Sequence, residues 1–171
     1  MSELLNRESV KKVKTILSNF DKSIEIQILE HTAKTAIEAA NALKCKAGAI
    51  VKSLLIKTDD AFIMCLISGD KKCSLKKIKI LTGKKDVCMA NAEAVKKVTS
   101  FSIGGVSPVG HNEKIEIIID KQLSRYKTIF AAAGHPNAIF PIDLYNLIKI
   151  TKGSLEDISE WNNQLLQIIF F

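Results

Sequence analysis

The stretch from Ala49 to Ser68, AIVKSLLIKTDDAFIMCLIS, decides how the rest of the chain is read. Residues 49–57 and 61–68 are apolar and rich in β-branched side chains, and Thr58-Asp59-Asp60 between them supplies turn formers. That pattern is a β-hairpin. One residue interrupts the apolar run. On an alternating strand Lys52 shares a face with Ile50 and Leu54, so either that face is outward and the ammonium snorkels to water, or the ammonium points into a cavity that holds an anion.

On the N-terminal side, Val10, Val13, Ile16, Leu17 and Phe20 recur at helical spacing between lysines, which predicts an amphipathic helix over Ser9 to Phe20. Ile24, Ile26 and Ile28 alternate with polar neighbours as a strand does. An alanine-rich helix follows from Thr35 to Leu43, with Thr35 or Thr32 as its cap. On the C-terminal side we expect helices over Leu75 to Leu81, Asn91 to Val98 and Ile142 to Thr151, and strands over Val87 to Ala90, Lys114 to Asp120 and Thr128 to Ala133. Gly134 to Asn137 reads as a turn. The elements mix without a βαβ rhythm, which argues against the doubly wound nucleotide folds. The expected fold is α+β, a mixed and curved sheet with helices packed around it.

With 171 residues, 47% of them hydrophobic and 25% charged, the chain suits one globular domain spanning residues 1–171. Intrinsic disorder is excluded for most of it. No apolar run approaches the ~18 residues of a membrane span, and residues 1–7 lack the apolar stretch of a signal peptide; the cytoplasm is the expected location. Cys45, Cys65, Cys73 and Cys88 form no CxxC pair and no metal-ligand spacing with histidine, so reduced thiols and no metal are expected. The segment from Ser159 to Phe171 is an apolar terminus that should dock on the body or on a partner.

The net charge of +7 is concentrated. Lys71, Lys72, Lys76, Lys77, Lys79, Lys84 and Lys85 lie in one segment without an acid, and every basic residue except Arg7 and Arg125 is a lysine. Point charges of this kind suit attraction to a phosphate backbone better than base readout, although a merely solvated lysine face would look the same.

The GxSxG, HExxH, Walker and GxGxxG motifs are missing from the sequence. Two further segments spend unusual residues. Phe101 to His111, FSIGGVSPVGH, contains three glycines and a proline, which allow backbone groups to face a ligand directly. Ala131 to Asn137, AAAGHPN, leaves space at a strand end and continues into a Gly-His-Pro turn. His31, His111 and His135 have no acid placed by spacing to make them general bases.

Lys52 in GAIVKSLLIK, Gly104 to Pro108 in FSIGGVSPVGH, and AAAGHPNAIFPI, in that order, resemble the YbaK-like family of aminoacyl-tRNA deacylases, also called prolyl-tRNA-synthetase-associated or editing domains. The resemblance runs from about Val10 to Ile158. It implies a curved, partly closed, barrel-like sheet ringed by helices, with a pocket between the lysine strand and the GxxxP loop. Lys52 then matches the family's essential lysine, the catalytic residue. Gly104, Gly105, Val106, Ser107 and Pro108 match the substrate loop, and Gly134 the small-residue turn that closes the pocket. His31, Thr32 and His135, with Ser107, are the polar candidates to meet a substrate hydroxyl.

The implied activity is trans-acting hydrolysis of a mischarged aminoacyl-tRNA without a cofactor. The implied partners are aminoacyl-tRNA and an aminoacyl-tRNA synthetase, with no membrane. The amino acid is expected to be small or hydroxylated: alanine, serine, cysteine and threonine all stay open, with tRNA for proline as one carrier. In this reading the seven lysines of the basic segment track tRNA phosphates. The alternative is a catalytically inactive RNA- or synthetase-binding module that keeps the fold.

Overall fold

A computed structural model of the chain describes residues 2–30, 33 and 35–162. His31, Thr32 and the apolar terminus beyond Asn162 lie outside the described residues. The helices are α1 (Ser2–Leu5), α2 (Glu8–Phe20), α3 (Ala36–Leu43), α4 (Leu75–Thr82), α5 (Ala92–Thr99) and α6 (Leu144–Thr151). The strands are β1 (Gln27–Ile28), β2 (Val51–Lys57), β3 (Phe62–Ser68), β4 (Lys71–Cys73), β5 (Cys88–Met89), β6 (Glu116–Asp120), β7 (Ile129–His135), β8 (Ala138–Ile142), β9 (Ser154–Glu156) and β10 (Ser159–Trp161).

The hairpin is present, with its strands starting at Val51 and Phe62, because Ala47–Ala49 close a 3-10 turn before the first of them. β2 pairs antiparallel with β3 from Val51↔Ser68 to Lys57↔Phe62. β6 adds parallel to β3 and β9 parallel to β6, giving the mixed order β5-β2-β3-β6-β9. The sheet is central because both faces are covered. Val51, Leu55, Met64 and Leu66 enter one apolar cluster with Val10, Val13 and Leu17 of α2 and Leu147 of α6. Ile56, Ile63, Cys65 and Ile67 enter a second cluster with Ile78 of α4. Two buried faces require the near-continuous apolar runs seen in β2 and β3.

The remaining strands do not join this sheet by ladders. β7 and β8 form a hairpin with β1 on its edge, and β10 pairs with β4 as a two-stranded ribbon. The mixed α+β character matches the expectation. Full closure does not occur: β7 meets the five-stranded sheet through one isolated bridge, Ile50↔Phe130. β8, β9 and β10 carry little alternation, so their pairing is visible only in three dimensions.

Local signals hold where the chain supplies its own hydrogen bonds. Thr35 and Glu38 form a capping box on α3, and Ser74, Asn91 and Asp143 cap α4, α5 and α6. Gly134 sits at φ +89°, and a β-carbon there would lie 2.7 Å from the carbonyl oxygen of Ser9 in α2. This glycine lets β7 press against α2. Gly134→Ala should therefore lower stability by at least ~1–2 kcal/mol, the strain of a left-handed alanine, read as a reduced Tm. An unchanged Tm would mean that the backbone at residue 134 leaves the left-handed region and α2 shifts without cost.

Candidate active site

A cleft of about 440 Å³ opens between the edge of β2 and the β7–β8 hairpin. One wall is β2 from Val51 to Leu55. The facing wall is Ile103, Gly104 and Val106 from the glycine-rich loop, with Ala132 and Pro136. Met89 and Ile103, 48% and 64% exposed, stand at its rim. The lining is mostly apolar, and alanines from α3 and β7 keep it roomy.

Lys52 is the charged residue in the described lining. Alternation puts its side chain on the β4 side of β2, where Nζ donates to the carbonyl oxygen of Lys71. Burial pulls its pKa below the ordinary lysine value, and the charges of Asp70, Cys73 and Asp120 act the other way. Asp70 is itself braced. Arg125 grips it in a two-pronged fork, Nη1 to Oδ2 at 2.9 Å and Nη2 to Oδ1 at 2.6 Å, and Ser68 Oγ lies 2.9 Å from Oδ1. Burial works against ionisation of Asp70, but these contacts more than offset it and hold its pKa below the usual carboxylate value. Asp120 is fully buried and accepts from the amides of Ser68 and Gln122. Two carboxylates thus lie close enough to influence the Lys52 ammonium.

The glycine-rich loop is pinned from behind. His111 Nε2 donates to the carbonyl of Ser107 at 2.7 Å, and its ring meets Phe101 edge-on. Burial lowers the His111 pKa, which favours the neutral imidazole. A β-carbon on Gly105 would stand 2.8 Å from Cα of His135, so this glycine lets the loop lie on β7. Among the residues expected at the site, Lys52, Gly104 and Val106 line the cleft, Gly105, Ser107, Gly134 and His135 build the structure behind its wall, and Pro108 is buried outside the lining. The ring of His135 turns locally, its Nδ1 accepting from the amide of Asn137 at 3.1 Å.

Residues 30–150 match the family model of the aminoacyl-tRNA editing domain. The chain belongs to the aminoacyl-tRNA editing domain family. It is 33% identical over 130 residues to the proline–tRNA ligase of Macrococcus caseolyticus, a match that covers 74% of this chain and 23% of the ligase. The chain thus spans about a quarter of that relative's length. It is 29% identical over 131 residues to the uncharacterized protein YwhH of Bacillus subtilis, covering 76% and 83% of the two chains. In structure it is similar to a candidate trans-editing enzyme for prolyl tRNA synthetase, with a TM-score of 0.85, 32% identity and coverage of 90% and 98%.

The seven lysines of the basic segment separate in this editing domain. Lys71 is buried with Nζ 2.8 Å over the Trp161 ring. Lys72 pairs with Glu160, Lys77 with Asp157 and Lys84 with Asp60. Lys76, Lys79 and Lys85 are exposed. Among the described residues no cluster of three or more His, Cys, Asp or Glu side chains could hold a metal. Sequence reasoning did not find Asp70, Arg125 or Asp120. The available signals were Arg125 as one of two arginines and Asp70 in a Ser-Gly-Asp turn.

Asp70→Asn should move the Lys52 titration lower still, because it removes the leading charge that favours the ammonium. Side-chain NMR of Lys52 against pH measures the midpoint, which in the wild type should already lie below the ordinary ~10.4. Equal midpoints in mutant and wild type would remove Asp70 as the counter-charge.

Proposed function

We propose that this chain is a trans-acting aminoacyl-tRNA deacylase, removing a small or hydroxylated amino acid from mischarged tRNA, with tRNA for proline as a candidate carrier. The observation that carries this reading is Lys52 in the wall of an apolar cleft that Gly104 and Val106 also line, in a chain of the editing domain family. An aminoacyl ester is already activated, so positioning and polarisation of its carbonyl supply much of the acceleration, and no Ser-His-Asp triad is needed. Lys52 binds a phosphate or hydroxyl of the terminal adenosine. The backbone of Gly104 to Val106 closes over the amino acid, and water adds to the carbonyl carbon as the bond to the ribose oxygen breaks.

The side-chain end of the cleft favours small residues. Ile50, Val106 and Ile139 are the bulky lining residues that limit the occupant, while Ala33, Ala36, Ala39 and Ala132 leave space beside them. Selection by shape between residues that differ by one methylene yields only ~1–3 kcal/mol, which is the situation that editing of a released product corrects. Deacylation of tRNAs charged with alanine, serine, cysteine, threonine and proline tests the reading. Lys52→Ala should reduce kcat/KM by about 10²–10³-fold, the usual loss for one electrostatic partner, with the fold retained by circular dichroism. Wild-type rates in a folded Lys52→Ala protein would refute the role of Lys52, and no hydrolysis of any ester by the wild type would favour an RNA- or synthetase-binding module.

The tRNA-facing charges we propose are Lys76, Lys79 and Lys85, exposed beside the paired Lys72, Lys77 and Lys84. Reversing the three exposed lysines to glutamate should weaken tRNA binding and flatten its dependence on salt. For every phosphate that is no longer neutralised, the slope of log K against log salt falls by ~0.7–0.9. An unchanged slope would assign these lysines to solvation alone.

A further inference from the structure

The edge of β2 has a gap in its hydrogen bonding. Ala90 N–H donates to the Leu55 carbonyl at 2.9 Å, which turns the amides and carbonyls of Val51, Ser53 and Leu55 away from β3 and toward the open edge. At one end of that edge β7 is bridged at Ile50↔Phe130, and at the other β5 pairs with Ile56 and Lys57. Neither neighbour reaches the middle. Among the described residues no ladder or bridge on the outer side of β2 includes Ser53, and Ser53 lies in the cleft wall. Its hydroxyl is also buried without a partner. Unmet backbone and side-chain polar groups are rare in native proteins because each removed from water costs ~1–3 kcal/mol. Here they gather on one residue, next to Lys52.

An exposed edge usually takes another strand, but this gap between β7 and β5 is about three residues, or ~10 Å, long. It fits one residue. Two residues facing each other in a bonded antiparallel pair exchange N–H and C=O with each other. The complement of the Ser53 pair is therefore one α-nitrogen donor and one carbonyl acceptor separated by a single carbon, which is an α-aminoacyl group. We propose that the Ser53 backbone anchors the α-aminoacyl group of the substrate, its carbonyl accepting from the α-ammonium and its N–H donating to the ester carbonyl oxygen. This inference rests on the deacylase reading above and names the group that positions the ester. When water adds to the carbonyl carbon, negative charge grows on the oxygen held by the Ser53 N–H. That charge returns to re-form the carbonyl as the bond to the ribose oxygen breaks, and the proton lost by the water passes to that oxygen. Recognition by backbone leaves the amino-acid side chain to be selected by the alanine-lined part of the cleft.

The test uses the full chain labelled with ¹⁵N and two non-hydrolysable probes, 3′-alanylamino-3′-deoxyadenosine and its 3′-propionylamino counterpart, which lacks the α-amino group. The alanyl probe should shift the Ser53 amide proton downfield and slow its exchange with solvent at least ~10-fold, and the propionyl probe should bind about 10–100-fold more weakly, as expected when a hydrogen bond to a charged group is removed. Ser53→Pro removes the N–H at a place where an edge strand tolerates proline, and should lower kcat/KM for alanyl-tRNA by about 10²–10³-fold. A Ser53 amide unmoved by a probe that binds, equal affinity for both probes, or wild-type turnover by a folded Ser53→Pro protein would each overturn the anchor. If Ser53→Pro fails to fold, the two probes decide. Engagement of the Ser53 amide without hydrolysis of any ester would support the anchor and refute the deacylase reading; hydrolysis with an unmoved amide would do the reverse.

Discussion

β2 is bonded to β3 along its whole length but to its outer neighbours only at its ends. This constraint creates the cleft. β7 departs after the bridge at Ile50↔Phe130, and its hairpin with β8 carries Ala132 and Pro136 away from β2 to form the facing wall. If β7 ran beside β2 in a full ladder, the space would close and the Ser53 backbone would be satisfied by the protein itself. The apolar clusters on both faces of the sheet hold β2 rigid while its edge stays open.

An ammonium placed beside that edge needs support, since burial disfavours its charge. Lys52 finds a carbonyl in Lys71 and the fields of Asp70 and Asp120. The same turn that follows β3 supplies Asp70 and Lys71, so one short connection delivers both the hydrogen-bond acceptor and a counter-charge. Arg125 fixes Asp70 through two bonds, which keeps the carboxylate on the protein and leaves Lys52 oriented by a backbone carbonyl. On the far wall, His111 holds the Ser107 carbonyl and Gly105 admits the backbone of His135. Both walls therefore rest on fixed supports, as a site built for positioning requires.

Much of the fold was legible in the chain. The hairpin around Thr58-Asp59-Asp60, the helix Glu8–Phe20 and the caps at Thr35 and Asn91 depend on periodicity and nearby side chains. The two-residue β1 fell short of the alternating run Ile24 to Leu29, because only Gln27 and Ile28 find partners on β8. The strands β4 and β10 were not legible at all. They exist because Ser159↔Cys73 and Trp161↔Lys71 meet across a long span of chain, and that pairing also buries Lys71, which composition alone grouped with the solvent-facing lysines.

At the cleft the division follows the same physics. The sequence by itself determined that a lysine interrupts an apolar strand, that a glycine-rich loop follows, and that these segments resemble editing domains, since residue type and order are local properties. Only the tertiary structure decided that Lys52 leans toward β4, that Gly104 and Val106 line the cleft while Gly105 and His135 support it, and that no outer strand pairs with Ser53. Which groups are left open depends on where neighbouring strands stop pairing, and that is settled by contacts between residues far apart in the chain.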